Sequence, residues 1–362
     1  MRLLLRLAIV GAVIPVALEA SARLEDWIRF GVPVTSNISG VGDLGVLDSQ
    51  GVHSRPNAAY RQFKIDSRGF RGPEVSDQQL TKGTVIVATG SSETFGLYES
   101  PDREWPRVLE QRFRDDCGSS ELTVLNAATA GMSLPWVSVD LKHRLGKLMP
   151  QVLIYYLQPT QYLWDSVPSV REYAKRSASP VNGFHSRVAF RIRTEIKEAL
   201  PGWILDGLRR RDLAASRSGG VVPFSRFPHE RLDSLDSHLR QLVGELRQRN
   251  LPLLLVIPYN RFTDTTTTAE RRWLRAWEKQ VPKADGALLL QFSDSAVARM
   301  RSIARDSGAA IVDPSFPESP ERAHYFADPV HFTDLGATLV ADSVKQHLRP
   351  LLDCSMIHDP TH

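Results

Sequence analysis

Cysteine is almost missing from this chain: only Cys117 and Cys354 occur among its 362 residues. Neither belongs to a CxxC pair or a histidine cluster, so a structural zinc site has no ligand set, and no other cofactor motif is present. Two states stay open for the pair, one disulfide in an oxidising compartment or two buried thiols. An excess of one charge is also lacking, since 45 basic against 41 acidic residues leave a formal +4. With no nucleic-acid motif around the mid-chain arginines, nucleic acid is not an expected partner. Arg209-Arg210-Arg211, the densest basic cluster, reads first as a solvated helix face and second as a contact for an anionic glycan. Long hydrophobic runs are missing too. Residues 7–18 carry no charge, yet as a helix they cover only ~18 Å of a ~30 Å hydrocarbon core.

That short run follows Arg2 and Arg6 and precedes Ala20-Ser21-Ala22. A basic start, an apolar stretch and small residues describe a secretory signal or an uncleaved membrane anchor. Glu19 beside the small residues weighs against cleavage, and an amphipathic core helix is the third reading. Under either of the first two, the rest of the chain lies outside the cytoplasm, anchored to the membrane or released as a secreted or periplasmic protein. The expected division is a segment 1–24, a turn-rich lead-in 25–82, a main domain 83–352 and a tail 353–362.

With 42% hydrophobic and 24% charged residues, the main domain has enough apolar side chains for a core and is not globally disordered. Short β-runs are expected at 85–88, 122–125, 152–157, 253–257 and 309–312. Helical spacing is expected at 105–113, 137–148, 232–248, 268–280, 296–307 and 335–348. Strands alternating with helices argue for an α/β fold with a parallel sheet of about five strands covered on both faces. Residues 162–228 break the rhythm and read as an inserted helical lobe capping the site. The lead-in holds one strand-like stretch at 60–65, followed by Ser67-Arg68-Gly69-Phe70-Arg71-Gly72.

Reactive groups in such sheets gather beyond the strands' carboxyl ends. Four polar segments fall there: Ser92, Asn126 to Gly131, Gln158 to Gln161, and the loop carrying Asp328 and His331. A serine hydroxyl becomes nucleophilic when an imidazole takes its proton, and a carboxylate can hold that imidazole. Ser92, His331 and Asp328 are the candidates for those three roles. Asp334 or Thr333, at the start of the last helix, is the candidate N-cap, and Thr333 in that role is compatible with His331 as base.

These blocks resemble the SGNH (GDSL) hydrolase family, which places four short blocks on a flavodoxin-like three-layer α/β/α sandwich. The first block is similar to Gly90-Ser91-Ser92-Glu93-Thr94-Phe95-Gly96, the second matches at Asn126 and Gly131, and the last at Asp328 and His331. The resemblance implies Ser92 as nucleophile and an oxyanion hole from the Ser92 and Gly131 N–H groups. Two positions depart from the pattern. The first block's Asp is Ser91, and the third block's Asn falls on Thr160, with Gln158 and Gln161 as alternative donors. Asn126, Gln158 and Gln161 are candidate substrate contacts. The lead-in also looks like that of membrane-attached members.

Glu93 and Glu99 read as solvated, or as orienting substrate. Trp105, Trp136 and Trp164 read as core or as a platform for a sugar ring. The implied activity is an extracytoplasmic esterase acting on a small-molecule or polysaccharide ester, removing acyl, chiefly acetyl, groups. The alternatives are a polysaccharide O-acyltransferase using the same triad, or a degenerate module that only binds glycan.

Overall fold

Strand order 2-1-3-4-5 defines the centre of the molecule. In the computed structural model, which describes residues 2–38, 40–48, 51–117, 122–164 and 186–352, two hairpins come first. They are β1 (Gly45–Asp48) with β2 (Gly51–Ser54), and β3 (Ala59–Tyr60) with β4 (Phe63–Lys64). The main sheet follows, with β5 (Thr84–Gly90), β6 (Leu122–Asn126), β7 (Val152–Tyr156), β8 (Leu253–Val256) and β9 (Ala310–Val312). All four of its pairings are parallel, in the order β6-β5-β7-β8-β9. This is the flavodoxin-like order, and it bears out the expected three-layer fold.

Period-two alternation sorts the strand residues between two layers of helices. On one face Val85, Val87, Leu153, Tyr155 and Leu255 share a core with α5 (Leu134–His143), α8 (His229–Gln248) and α10 (Gly286–Ser307). On the other, Ile86, Ala88, Ile154, Tyr156 and Val256 pack on α4 (Trp105–Cys117) and α11 (Asp334–Leu348). Strands apolar on both faces are what a doubly covered parallel sheet requires. Each large side chain fully buried there stabilises by about 1.5–3 kcal/mol.

Elsewhere the structure amends the expected boundaries. Asp285 caps α10 by accepting from the Leu288 N–H, so that helix starts ten residues before the expected 296. The 137–148 helix instead stops at His143, and a separate 3-10 turn covers Leu145–Leu148. The 60–65 stretch is two strands folded back at Arg61 and Gln62. The α2 helix (Asp77–Lys82) closes the lead-in with a Ser76/Gln79 capping box.

The N-terminal segment is one helix, α1 (Arg2–Phe30). Among the described residues no helix is long and apolar enough to cross a membrane. Its second half is tied down: Asp26 pairs with Arg187 and Arg191 of α6 (Arg187–Ala199), and Glu19 accepts from Ser186 and the backbone of Arg187. In α7 (Gly202–Ser218), Arg209 lies over the Trp273 ring and Arg210 pairs with Asp206. That packs α7 on α9 (Thr268–Gln280) rather than leaving the arginine cluster a purely solvated face. Cys354, and with it the Cys117 pairing, lies outside the described residues, as does the expected tail.

Candidate active site

The β5 strand ends at Gly90, whose φ of 152° and lack of a side chain let the chain turn sharply into the short helix α3 (Ser92–Phe95). A Cβ at Gly90 would stand 2.7 Å from Thr94 Oγ1 and 2.8 Å from the Tyr156 carbonyl oxygen. The turn thus delivers Ser92 to the sheet's carboxyl edge, in the first turn of α3, where the backbone N–H has no intrahelical acceptor. From the other end of the sequence, Thr333 caps α11 as expected. Gly336 lets that helix approach the Tyr325 carbonyl, with which any Cβ would collide. The close approach fixes the preceding loop.

Three distant residues meet there. His331 Nε2 is 2.8 Å from Ser92 Oγ, and His331 Nδ1 is 2.7 Å from Asp328 Oδ2. The second oxygen of Asp328 accepts the N–H groups of Val330 and His331 at 3.0 and 2.9 Å, so the carboxylate is fixed in place. Burial would push the Asp328 pKa up, but its bonds to His331 and these N–H groups hold it below the usual carboxylate value. For His331 burial pulls the pKa down, and the bond and charge of Asp328, with Glu93 and Glu99 nearby, outweigh it and raise the ring to about 9.

Glu93 and Glu99 are not solvated. Each is 1% exposed. Burial pushes Glu93 upwards and Glu99 up to about 8. Glu93 accepts from the Gln158 amide and lies 3.4 Å from Ser92 Oγ. The exposed ring of Tyr98 leans on the imidazole at 5.4 Å between centroids.

The expected oxyanion donors are placed differently from one another. Thr160 turns its hydroxyl to Gln158 Oε1 at 3.2 Å and does not face the nucleophile's neighbour. Gln161 does: its amide donates to Ser91 Oγ at 2.8 Å, and the Gly131 N–H donates to the same oxygen at 3.2 Å. Two preorganised donors therefore converge on one oxygen beside Ser92. Asn126, an expected substrate contact, does not line the cavity beside Ser92. It is 2% exposed, donates to the Thr94 carbonyl and accepts from Ala128, bracing the α3 turn against β6.

Around Ser92 lies a cavity of about 260 Å³ whose wall includes His331, Glu93, Gly131 and Gln161, together with Trp164 and, from α9 and the residue after it, Trp277, Gln280 and Val281. No described residue of α6 or α7 lines it; of the expected insertion 162–228 Trp164 does, and α9 of the later connection supplies the wall beside it. Trp105 and Trp136 are core residues, 0% and 7% exposed. The Trp277 and Gln280 contributions carried no signal in the sequence beyond an amphipathic helix. Arg71 of the lead-in was also missed: its guanidinium lies beside the stacked Phe63 and Phe95 rings, 4.9 and 5.0 Å from their centroids, and donates to the Gly96 carbonyl at the end of α3.

No family model and no curated protein matches the sequence. Solved structures are similar. A lipase/acylhydrolase from Enterococcus faecalis is 14% identical, covering 75% of this chain and 97% of that one, with a TM-score of 0.43. An acetylxylan esterase from Geobacillus stearothermophilus is 12% identical, covering 74% and 96% at 0.42. A GDSL-like lipase from Bacteroides thetaiotaomicron is 12% identical, covering 74% and 89% at 0.40. The fold assignment rests on the strand order itself.

Proposed function

We propose that this chain is a serine acyl-ester hydrolase of the SGNH type. The observation that carries the reading is the unbroken Asp328–His331–Ser92 hydrogen-bond chain, ending on a half-buried hydroxyl in a cavity. Neutral His331 takes the Ser92 proton at Nε2 as Oγ adds to the ester carbonyl. Asp328 holds Nδ1–H and stabilises the imidazolium that forms. The carbonyl oxygen, now an oxyanion, is held by the Ser92 and Gly131 N–H groups and the Gln161 amide, with the Ser91 hydroxyl turning aside. The imidazolium then returns its proton to the leaving alcohol, leaving Ser92 acylated. Water activated by the same ring releases the acid and restores the hydroxyl.

The substrate reading is an acetyl or similarly short acyl ester on envelope or exported polysaccharide, supported by the small cavity and the family resemblance. Trp164, half-buried at its wall, is the ring placed to meet a sugar. Membrane attachment outside the cytoplasm is part of the same reading. Its support is the charge-free stretch 11–18 of α1, exposed all round in this chain, as an apolar helix seeking lipid would be.

The deciding experiment treats the full chain in mild detergent with a fluorophosphonate probe, beside Ser92→Ala and His331→Ala variants. Labelling of the parent alone, with acetate released from acetylated xylan or a similar polymer, is the expected result. An unlabelled parent sinks the enzyme reading. Acyl transfer to an added sugar hydroxyl in preference to water would reassign the acceptor and make the protein an O-acyltransferase.

A further inference from the structure

A second cavity is larger than the one around Ser92. It measures about 450 Å³ and lies where the end of α1 meets the β3–β4 hairpin and the start of α4. That volume falls within the range of about 300–1,000 Å³ usual for small-ligand sites. Its wall is cationic: Arg29, Arg61, Lys64, Arg71 and Arg107, against Asp102 and Glu104. Glu104 is buried beside Arg71 at 3.5 Å, and burial pushes its carboxyl towards the neutral form. The Arg71–Glu104 pair forms the floor, and the excess positive charge stands at the rim.

Two details of the backbone serve that rim. Arg61 holds a φ of 48° at the first central position of a two-residue hairpin loop, between the paired Tyr60 and Phe63. Glycine is favoured there, because a side chain in the left-handed region is strained. Strain kept at one residue points to a use for its side chain, and Arg61 packs its guanidinium over the Phe30 ring at the cavity. Gly72 supplies the second detail. A Cβ on it would collide with Arg107 Nη2, so its bare Cα is what lets that guanidinium reach the wall. Arg107 gives Nη1 to Glu110 at 2.8 Å, while its buried Nε has no hydrogen-bond partner among the described residues. Lys64 is exposed, with no ion pair among them.

We propose that this cavity is a binding site for a phosphate-bearing anion, with Arg61, Lys64 and Arg107 as its principal ligands. Arginine forks match phosphate oxygens two at a time, and lysine adds a compact charge. The phosphate has two candidate sources, a lipid headgroup beside α1 or a soluble phosphate ester. The inference does not depend on the hydrolase reading.

The test uses the full chain in non-ionic detergent and titrates inorganic phosphate and pyrophosphate by calorimetry, with glucuronate as the carboxylate control. Saturable phosphate binding that is weakened at least tenfold in the Arg61→Gly, Lys64→Gln double variant is expected. Arg61→Gly relieves the strained turn, so its melting temperature should equal or exceed the parent's while affinity falls. If the double variant fails to fold, Lys64→Gln alone, which leaves the backbone untouched, must still weaken binding several-fold. Absence of phosphate binding to the parent, or binding unchanged in these variants, overturns the proposal. So does glucuronate binding as tightly as phosphate. Displacement of phosphate by phosphatidylglycerol in mixed micelles assigns a lipid ligand, and persistence of phosphate assigns a soluble one. Either result supports the site.

Discussion

Replacing Asp328 with asparagine isolates the contribution that sets the base. His331 in the folded protein titrates near 9 against an ordinary value of 6.5. A folded-state pKa above the unfolded one means that the ring proton stabilises the fold fully below pH 6.5. That contribution is lost as pH rises through 9. At pH 7 the two pKa values differ enough in proton occupancy to be worth about 2–3 kcal/mol, and above pH 9.5 they are worth almost nothing. The asparagine side chain would keep an oxygen for the Val330 and His331 N–H groups but would bring no charge to Nδ1. Burial of the ring then prevails, and its pKa should fall to 6.5 or lower. Urea unfolding should show Asp328→Asn less stable by about 2–3 kcal/mol at pH 7 and close to the parent at pH 10. Proton NMR of the imidazole should report the pKa change directly. Esterase turnover in the parent should rise with pH to an inflection near 9, because only the neutral ring accepts the Ser92 proton. A stability gap that persists at pH 10 would assign the loss to packing. A variant ring still titrating above pH 8 would refute the electrostatic reasoning outright.

Two further substitutions test the oxyanion assignments, and a third tests the turn. Gln161→Ala should lower kcat by about 10²–10³ with KM little changed, since it removes a donor used by the oxyanion. Thr160→Val should cost under about fivefold, and the reverse ranking, measured with p-nitrophenyl acetate, would restore Thr160 to the oxyanion role. Gly90→Ala forces a Cβ to within 3 Å of Thr94 and Tyr156. It should lower stability by more than about 2 kcal/mol in urea and abolish fluorophosphonate labelling of Ser92, and a well-folded, labelled variant would contradict the account of the turn.

The sheet and its catalytic edge were readable because both come from local rules. Apolar runs such as residues 152–156 suit strands buried on both faces, and a small-residue turn after such a strand projects its polar group at the carboxyl edge. The Asp328-to-His331 loop was readable for the same reason, being anchored by a helix cap at Thr333. What was not readable depends on which side chain a 3-10 turn points inward. Position by position, Thr160 sits where an amide is expected, yet the turn covering Pro159–Leu163 rotates Gln161 into that place. Glu93 and Glu99 were misread as solvated because their burial is set by residues far off in sequence, Gln158 beside Glu93 and Arg71 beside Glu99. The α1 helix shows the same limit, since its apolar first half is a local pattern but its pairing with Arg187 is not.

The carboxylates around His331 also set the pH at which the buried base becomes usable. If Glu93, Glu99 and Asp328 all carried full charge, the imidazolium would be held to a still higher pH than it is. Burial prevents this by raising Glu93 and bringing Glu99 to about 8, so that at pH 7 Glu99 is mostly neutral. Asp328, fixed by two N–H groups and the ring, keeps its charge. Asp328 is then the fixed charge that faces the imidazole at Nδ1, the pairing a serine mechanism needs. Above pH 8 Glu99 ionises and adds a second negative charge near the ring, which delays loss of the ring proton. Arg71 stands against Glu99 and Glu104, and its position is fixed by the backbone bond from Arg71 N–H to the Asn126 carbonyl at 2.9 Å. The lead-in thereby reaches the titration of the base: it seats the cation that limits how far the Glu99 carboxyl rises.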